Sequence, residues 1–428
     1  MNNPHPSNKY SQAIIIISIL FFTFGFVTWL NGSLIQFLKI ACELESDVQA
    51  FFVTFAFYMS YFFLALPSAG ILKSTGFKNG MSLGLVVMAV GCLVFIPAAM
   101  NRSFALFLAG LFVQGAGLAL LQTASNPYIS IAGPIESAAR RISIMGICNK
   151  TAGMIAPLIL SAVLLNDATA LENKIALTTN SGQRELLLQE LSSRIIYPYI
   201  IIAIALLLLA VFIKMSALPH INMGEADVQK KDEQRKTNVL QFPHLLLGVL
   251  CIFLYVGVEV MAGDAIGLYG KAMGMPLDET KNFTTFTLVA MLIGYVAGIF
   301  TIPKYISQQL ALKYSAVLGI ILTLCVFLLS GYMAIIFIAL LGLSNALMWP
   351  AIFPLAIKGL GRFTNTGSAL LIMGISGGAV IPLMYGLLKE PVFGLSNSLS
   401  FLLCMLPCYL FILYYAVSGY RAGLQKKH

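Results

Sequence analysis

The sequence predicts an all-α membrane protein, with twelve transmembrane helices in two pseudo-symmetric six-helix halves. Three observations predict it. Hydrophobic residues make up 59% of the 428 and charged residues only 10%, against about 25% charged in ordinary globular chains. Apolar runs of the length a bilayer crossing requires, about 20 residues, recur twelve times. One long polar stretch, 217–241, parts them six and six.

The first run, 13–38, follows MNNPHPSNKYSQ, which lacks the charged region and cleavage pattern of a signal peptide, so the run is read as a helix that stays. Further runs lie at 48–72, 79–100, 104–131, 142–165 and 194–216, with 166–193 as the longest external loop. The stretch 217–241 contains GEADVQKKDEQRK and has no apolar periodicity. It reads as a cytoplasmic linker with room for a short surface helix, between an N-terminal half 1–216 and a C-terminal half 242–428. The second set of runs lies at 242–270, 282–303, 311–329, 332–357, 363–387 and 395–418.

The net charge of +9 does not point to nucleic acid, because the basic residues sit in short gaps between apolar runs. Of the 26 Lys and Arg, 17 fall on the side of the termini and linker and 8 on the other, with only Lys150 inside a span. The excess of Lys and Arg on one side predicts cytoplasmic termini. The seven Cys show no ligand spacing and read as buried free thiols. The four His lie near the termini or the linker, and no phosphate loop or HExxH motif occurs. Metal enzymology and ATP-driven transport are therefore not expected, and no cofactor is called for.

An internal repeat supports the division into halves. Pro127 aligns with Pro350, and Gly153 and Pro157 align with Gly378 and Pro382, at shifts of 223 to 225 residues. Two such halves enclose a cavity near the middle of the membrane.

Polar groups within the spans are the candidate functional residues, because lipid offers them no partner. Glu259 and Asp264 lie in the seventh span, FLYVGVEVMAGDAIGLYG, and are the candidates for cation coupling, by a proton or by sodium. Glu259 lies nearer the middle and is favoured; its alternative use is an ion pair with Lys150. Lys150 lies about 12 Å deep by helical rise, where it can pair or snorkel. Asn31, Gln122, Asn126, Asn149 and Asn345 can donate and accept together, as a neutral polyhydroxylated substrate requires. Trp349 and Tyr128 adjoin the repeated prolines and offer aromatic faces to a sugar ring, as do Trp29, Phe24, Tyr58, Tyr61, Tyr255, Tyr295 and Tyr385. Pro127, Pro157, Pro350 and Pro382 are candidates for kinks.

The twelve spans with a central loop resemble the major facilitator superfamily. More closely, ALLQTASNPYISIAGP at 119–134, AFYMSYFFLALPSAGIL at 56–72, MWPAIFPLAIKGLG at 348–361 and IMGISGGAVIPLMYG at 372–386 resemble the fucose permease and glucose/galactose transporter family, in the fucose–galactose–glucose–proton symporter group. The resemblance implies sugar uptake coupled to a proton or sodium ion, by a monomeric carrier in the inner membrane of a Gram-negative bacterium. Fucose/proton members carry acidic residues where Gly32 and Gln122 stand here. Their absence, with Glu259 and Asp264 in the seventh span instead, favours the glucose/galactose branch. The expectation is therefore cation-coupled uptake of a neutral hexose. Its alternatives are symport of N-acetylglucosamine, mannose or fucose, and a uniporter or sugar sensor using the same cavity.

Overall fold

The computed structural model describes residues 6–131, 138–216 and 238–424. All the regular structure there is helical: α1 Pro6–Thr28, α2 Asn31–Ala41, α3 Asp47–Met100, α4 Phe104–Ile131, α5 Ala138–Leu164, α6 Ala168–Leu177, α7 Ser181–Ser193 and α8 Ile196–Met215 come first. Beyond the linker follow α9 Pro243–Gly263, α10 Ile266–Ala272, α11 Leu277–Thr280, α12 Phe283–Thr301, α13 Gln308–Leu328, α14 Gly331–Asn345, α15 Met348–Ile357, α16 Thr364–Met373, α17 Gly377–Lys389 and α18 Asn397–Val417.

Eleven helical stretches among the described residues are long and apolar enough to cross a membrane. One of them, α3, has 54 residues, or about 80 Å of helix at 1.5 Å per residue, far more than one crossing needs. It breaks at Gly76, where φ is 75°, a conformation glycine adopts without steric cost. Counted as two, α3 brings the crossings to twelve, as the apolar runs predict. Ser46 starts it, its side chain accepting a hydrogen bond from the Gln49 N–H.

One expectation changes and one lies largely outside the described residues. The external segment 166–193 is largely helical, comprising α6 and α7. Asn180 separates them and caps α7, accepting from the N–H groups of Gly182 and Gln183; single-residue caps in a polar stretch carry little of the periodicity by which helices are read. The surface helix allowed for in the linker lies mainly outside the described residues, of which only a short 3-10 turn at Val239–Gln241 belongs to that stretch.

Helix interruptions occur near mid-membrane, and proline does not mark most of them. The first span breaks between Thr28 and Asn31, and the seventh between Gly263 and Ile266. These are corresponding spans of the two halves. The tenth breaks between Asn345 and Met348, just ahead of Pro350, whereas Pro127, Pro157 and Pro382 lie inside continuous helices.

Small residues let the corresponding helix pairs touch. A Cβ at Gly25 of α1 would lie 2.2 Å from the Asn149 carbonyl oxygen of α5, and one at Gly377 would lie 1.7 Å from the Phe253 carbonyl oxygen of α9. Such backbone approach is how membrane helices pack without a hydrophobic driving force. The aligned Gly153 and Gly378 do related work, making room for Trp29 and for Tyr58 respectively. All seven cysteines are free, four of them buried. Burial pushes the Cys42 thiol, in the turn between the first two spans, up to about 11.

Candidate functional site: a central cavity above a buried ion pair

The ends of the bundle differ. The termini and linker mark one face; on the opposite face, side chains of the two halves are tied together. Asp47 accepts from Lys39 and from Lys389 across the halves, each at 2.5 Å. Gln36 and the Thr280 main-chain carbonyl and hydroxyl exchange hydrogen bonds of 3.1 and 3.3 Å. The Lys281 ammonium donates to the Leu165 carbonyl at 2.8 Å, and the Ser161 hydroxyl to Asn282 at 3.0 Å. Lys271 pairs with Glu172. Together these contacts seal the face opposite the linker.

Behind the seal lies a cavity of about 660 Å³, counting its open mouth. Its lining is contributed by both halves and includes Gln122, Asn126, Asn149, Lys150, Glu259 and Trp349 from the candidates read in the sequence, with Phe24, Trp29, Tyr58, Tyr61, Tyr255 and Tyr295. By their positions along the helices, these residues lie at or on the linker side of the level of Lys150 and Glu259.

The base of the cavity is an ion pair between the halves. Lys150 on α5 donates to Glu259 on α9 at 2.8 Å, and both are buried. Lys150 does not snorkel: its ammonium sits 4.1 Å from the centre of the Trp29 ring, an attractive cation–π arrangement. Trp29 is itself fixed. Its indole N–H donates to Asn149 at 3.3 Å, and its ring occupies the places where Gly153 and Gly263 lack side chains, a Cβ at either lying 2.4 Å from it. The break after Thr28 thus puts an aromatic ring between α5 and α9 at the level of the pair.

Higher in the cavity Gln122 donates to the Tyr61 hydroxyl at 3.0 Å, and Trp349 stands beside Tyr255 and Phe353, with ring centres 6.4 and 5.7 Å away. Amides, phenols and flat aromatic faces around an otherwise apolar space can hold a polyhydroxylated ring by its hydroxyls and its apolar face together.

Five sequence candidates lie elsewhere. Tyr385 is fully buried, its hydroxyl donating to Asn397 at the start of α18 on the sealed side. Asn345 is fully buried, and its side-chain oxygen accepts from Tyr409 on α18 at 2.8 Å, so it faces a neighbour of its own half. Tyr128 is buried outside the cavity lining. Asn31 and Asp264 lie together on the sealed side, each 1% exposed. A Cβ at Gly32, next to Asn31, would stand 3.4 Å from the Asp264 Oδ1. The cavity also draws on Phe21, Thr28, Ile142, Gly146, Val256 and Ile375, which the sequence reading did not single out. Except for the hydroxyl of Thr28, they have no polar signal to separate them from lipid-facing positions. Among the described residues no group of three or more His, Cys, Asp or Glu converges to hold a metal.

A helical bundle with a cavity between its halves and one end tied shut is the architecture of a membrane carrier rather than of an enzyme. Residues 17–383 match the model of the Major Facilitator Superfamily. The chain belongs to that superfamily and, within it, to the family of the glucose/galactose transporters and fucose permeases. It is 32% identical to the glucose/galactose transporter of Brucella abortus biovar 1 (strain 9-941), over 98% of each chain. It is 27% identical to the L-fucose-proton symporter of Escherichia coli (strain K12), over 90% of this chain and 88% of that one. The crystal structure of the Major Facilitator Superfamily transporter FucP in the outward conformation superposes with a TM-score of 0.74 at 26% identity, over 95% of this chain and 98% of that one.

Proposed function

We propose that this protein takes up a neutral hexose of the glucose/galactose type by cation-coupled alternating access, in a bacterial inner membrane with both termini cytoplasmic. The observation that carries this reading is the two-sided lining of the cavity, with amides and aromatic faces above a buried ion pair that joins the halves. The named relatives support it, since glucose/galactose transporters and fucose-proton symporters match nearly the whole chain. Fucose is the second reading, favoured by the likeness to the symporters of that sugar.

Gln122, Asn126 and Asn149 hold the sugar hydroxyls, and Trp349 and Trp29 flank the ring. Glu259 and Asp264 form the cation half of the coupling, with Lys150 as the partner of Glu259. The excess of positive residues on the linker face supports a cytoplasmic position for it; on this reading the sealed face is external and the cavity is directed inward.

Proteoliposomes with imposed proton or sodium gradients test the function, using glucose, galactose, mannose, N-acetylglucosamine and fucose. Accumulation of glucose or galactose above equilibrium is the expected result. Accumulation of fucose alone would replace the substrate, and none of any sugar under either gradient would remove the reading. Gln122→Ala should weaken sugar affinity about tenfold, the effect of losing one hydrogen bond in a buried polar site. Unchanged affinity and uptake would take Gln122 out of the site.

A further inference from the structure

The polar cluster beneath the external seal is separate from the cavity lining. Asp264 occupies the break between α9 and α10, and Asn31 opens α2 at the break in the first span. Among the described residues neither oxygen of Asp264 and neither polar atom of the Asn31 side chain completes a hydrogen bond of full geometry; the groups nearest to providing one are the Gly32 N–H for Asp264 and the Tyr58 hydroxyl for Asn31. Four such weakly partnered polar atoms at two facing helix breaks are unusual, because buried polar groups are nearly always partnered.

The charge count says what Asp264 carries here. Three ionisable groups of strong charge meet at this depth: Glu259 from its own span, Lys150 from α5, and Asp264 itself; Tyr58 on α3 also faces Asp264. Asn31 and Gly32 from α2 and Thr284 from α12 complete the surroundings without charge. Lys150 is the sole cation of the group and is bound to Glu259 at 2.8 Å. An ionised Asp264 would leave an uncompensated charge out of water, which is prohibitively costly. The Asp264 oxygen lies close against Gly32, beside Thr284, whose hydroxyl donates to the Gly263 carbonyl at 2.8 Å. A proton neutralises the carboxylate without any further ligand.

We propose that Asp264 is the proton carrier of this transporter. This deepens the cation-coupled reading above and rests on it. With the external face open, the Asp264 carboxylate takes one proton from a hydronium ion, leaving water, and becomes a neutral acid. The seal of Gln36–Thr280 and Asp47–Lys389 then forms over an uncharged group. When water reaches Asp264 from the cavity side, the O–H bond breaks, the proton passes to water and the carboxylate is restored. Glu259 keeps its charge through its bond to Lys150. Of the two acids, Asp264 is the one that changes protonation, and its position between the seal and the cavity lets it report on both.

Two measurements test this. Infrared spectra of the purified full chain at neutral pH should show a protonated-carboxyl C=O stretch that shifts in D2O and is absent from Asp264→Asn. Absence of the band from the wild type, or its survival in Asp264→Asn, overturns the proposal without reference to any sugar. In proteoliposomes Asp264→Asn should lose proton-driven accumulation while keeping sugar counterflow. Retained proton-driven accumulation overturns the proposal, as does accumulation by the wild type under a sodium gradient and not a proton gradient. Either result leaves the sugar-uptake reading standing. Wild-type protein without counterflow of any hexose would instead strike that reading and leave the spectroscopic result to stand by itself. Asp264→Glu, which keeps the acid, should restore the infrared band if Asp264→Asn folds poorly; a folded Asp264→Glu without the band also counts against the assignment.

Discussion

Lys150→Met is expected to destabilise the protein by about 3–5 kcal/mol, the usual consequence of leaving one member of a buried ion pair uncompensated. Glu259 would then be a carboxylate enclosed by Trp29, Tyr255 and Tyr295 with no cation within reach. The double variant Lys150→Met/Glu259→Gln removes both charges at similar volume and should recover most of that loss. Thermal unfolding in one detergent, read as a double-mutant cycle, gives the coupling energy directly. A double variant as unstable as the single one would mean that Lys150 stabilises through Trp29 rather than through Glu259. Function should divide differently. Glu259→Gln should impair gradient-driven accumulation more than sugar exchange, because the pair spans the two halves. Equal retention of accumulation and exchange would remove Glu259 from the coupling.

The second large effect concerns the seal. Asp47 holds two lysines, one from each half, with the three side chains between 15% and 26% exposed. Exposed pairs contribute little, but these are mostly screened from water; only the Lys389 pair crosses the halves, so it alone biases the closed external face, by about 1 kcal/mol. Asp47→Ala should therefore raise the ratio of externally open to externally closed protein about fivefold. Spin labels on the exposed positions Glu45 and Val392, one in each half, would show a longer-distance population growing at the expense of the short one. Uptake should slow, since return to the sealed state becomes the difficult step. An unchanged distance distribution would show that Gln36, Lys281 and Ser161 are sufficient to hold this face. Both experiments read the population of conformations rather than the affinity for sugar.

Much of this was legible in the order of residues. Twelve apolar runs became twelve crossings, since the backbone in lipid has few options besides the helix. The repeated Gly153 and Gly378 turned out to receive aromatic rings at corresponding places. Gln122, Asn126, Asn149, Lys150 and Glu259 could be named as candidates because polar and charged groups in a membrane helix need a partner or a cavity, and Trp349 because it adjoins a repeated proline; the bundle brings all six to one space. The sequence was less informative about direction. Asn345 carries the same amide as Gln122 yet spends it on Tyr409. Phe21, Ile142 and Ile375 line the cavity while sharing the composition of the lipid-facing surface. In water, an apolar stripe tells which face of a helix is inside; in a membrane both faces are apolar, and that signal vanishes.

From the sequence alone came the fold class, the number of crossings, the duplication and the short list of polar residues buried in the membrane. These follow from composition and from the cost of an unpartnered polar group in hydrocarbon. The tertiary structure decided how those groups are paired: Lys150 with Glu259, Asp264 left beside Asn31, and Asp47 shared between two lysines. Those choices depend on where helices break and how closely their backbones approach, as Trp29 between Gly153 and Gly263 shows. A difference of an ångström or two there decides which of two carboxylates receives the one available cation.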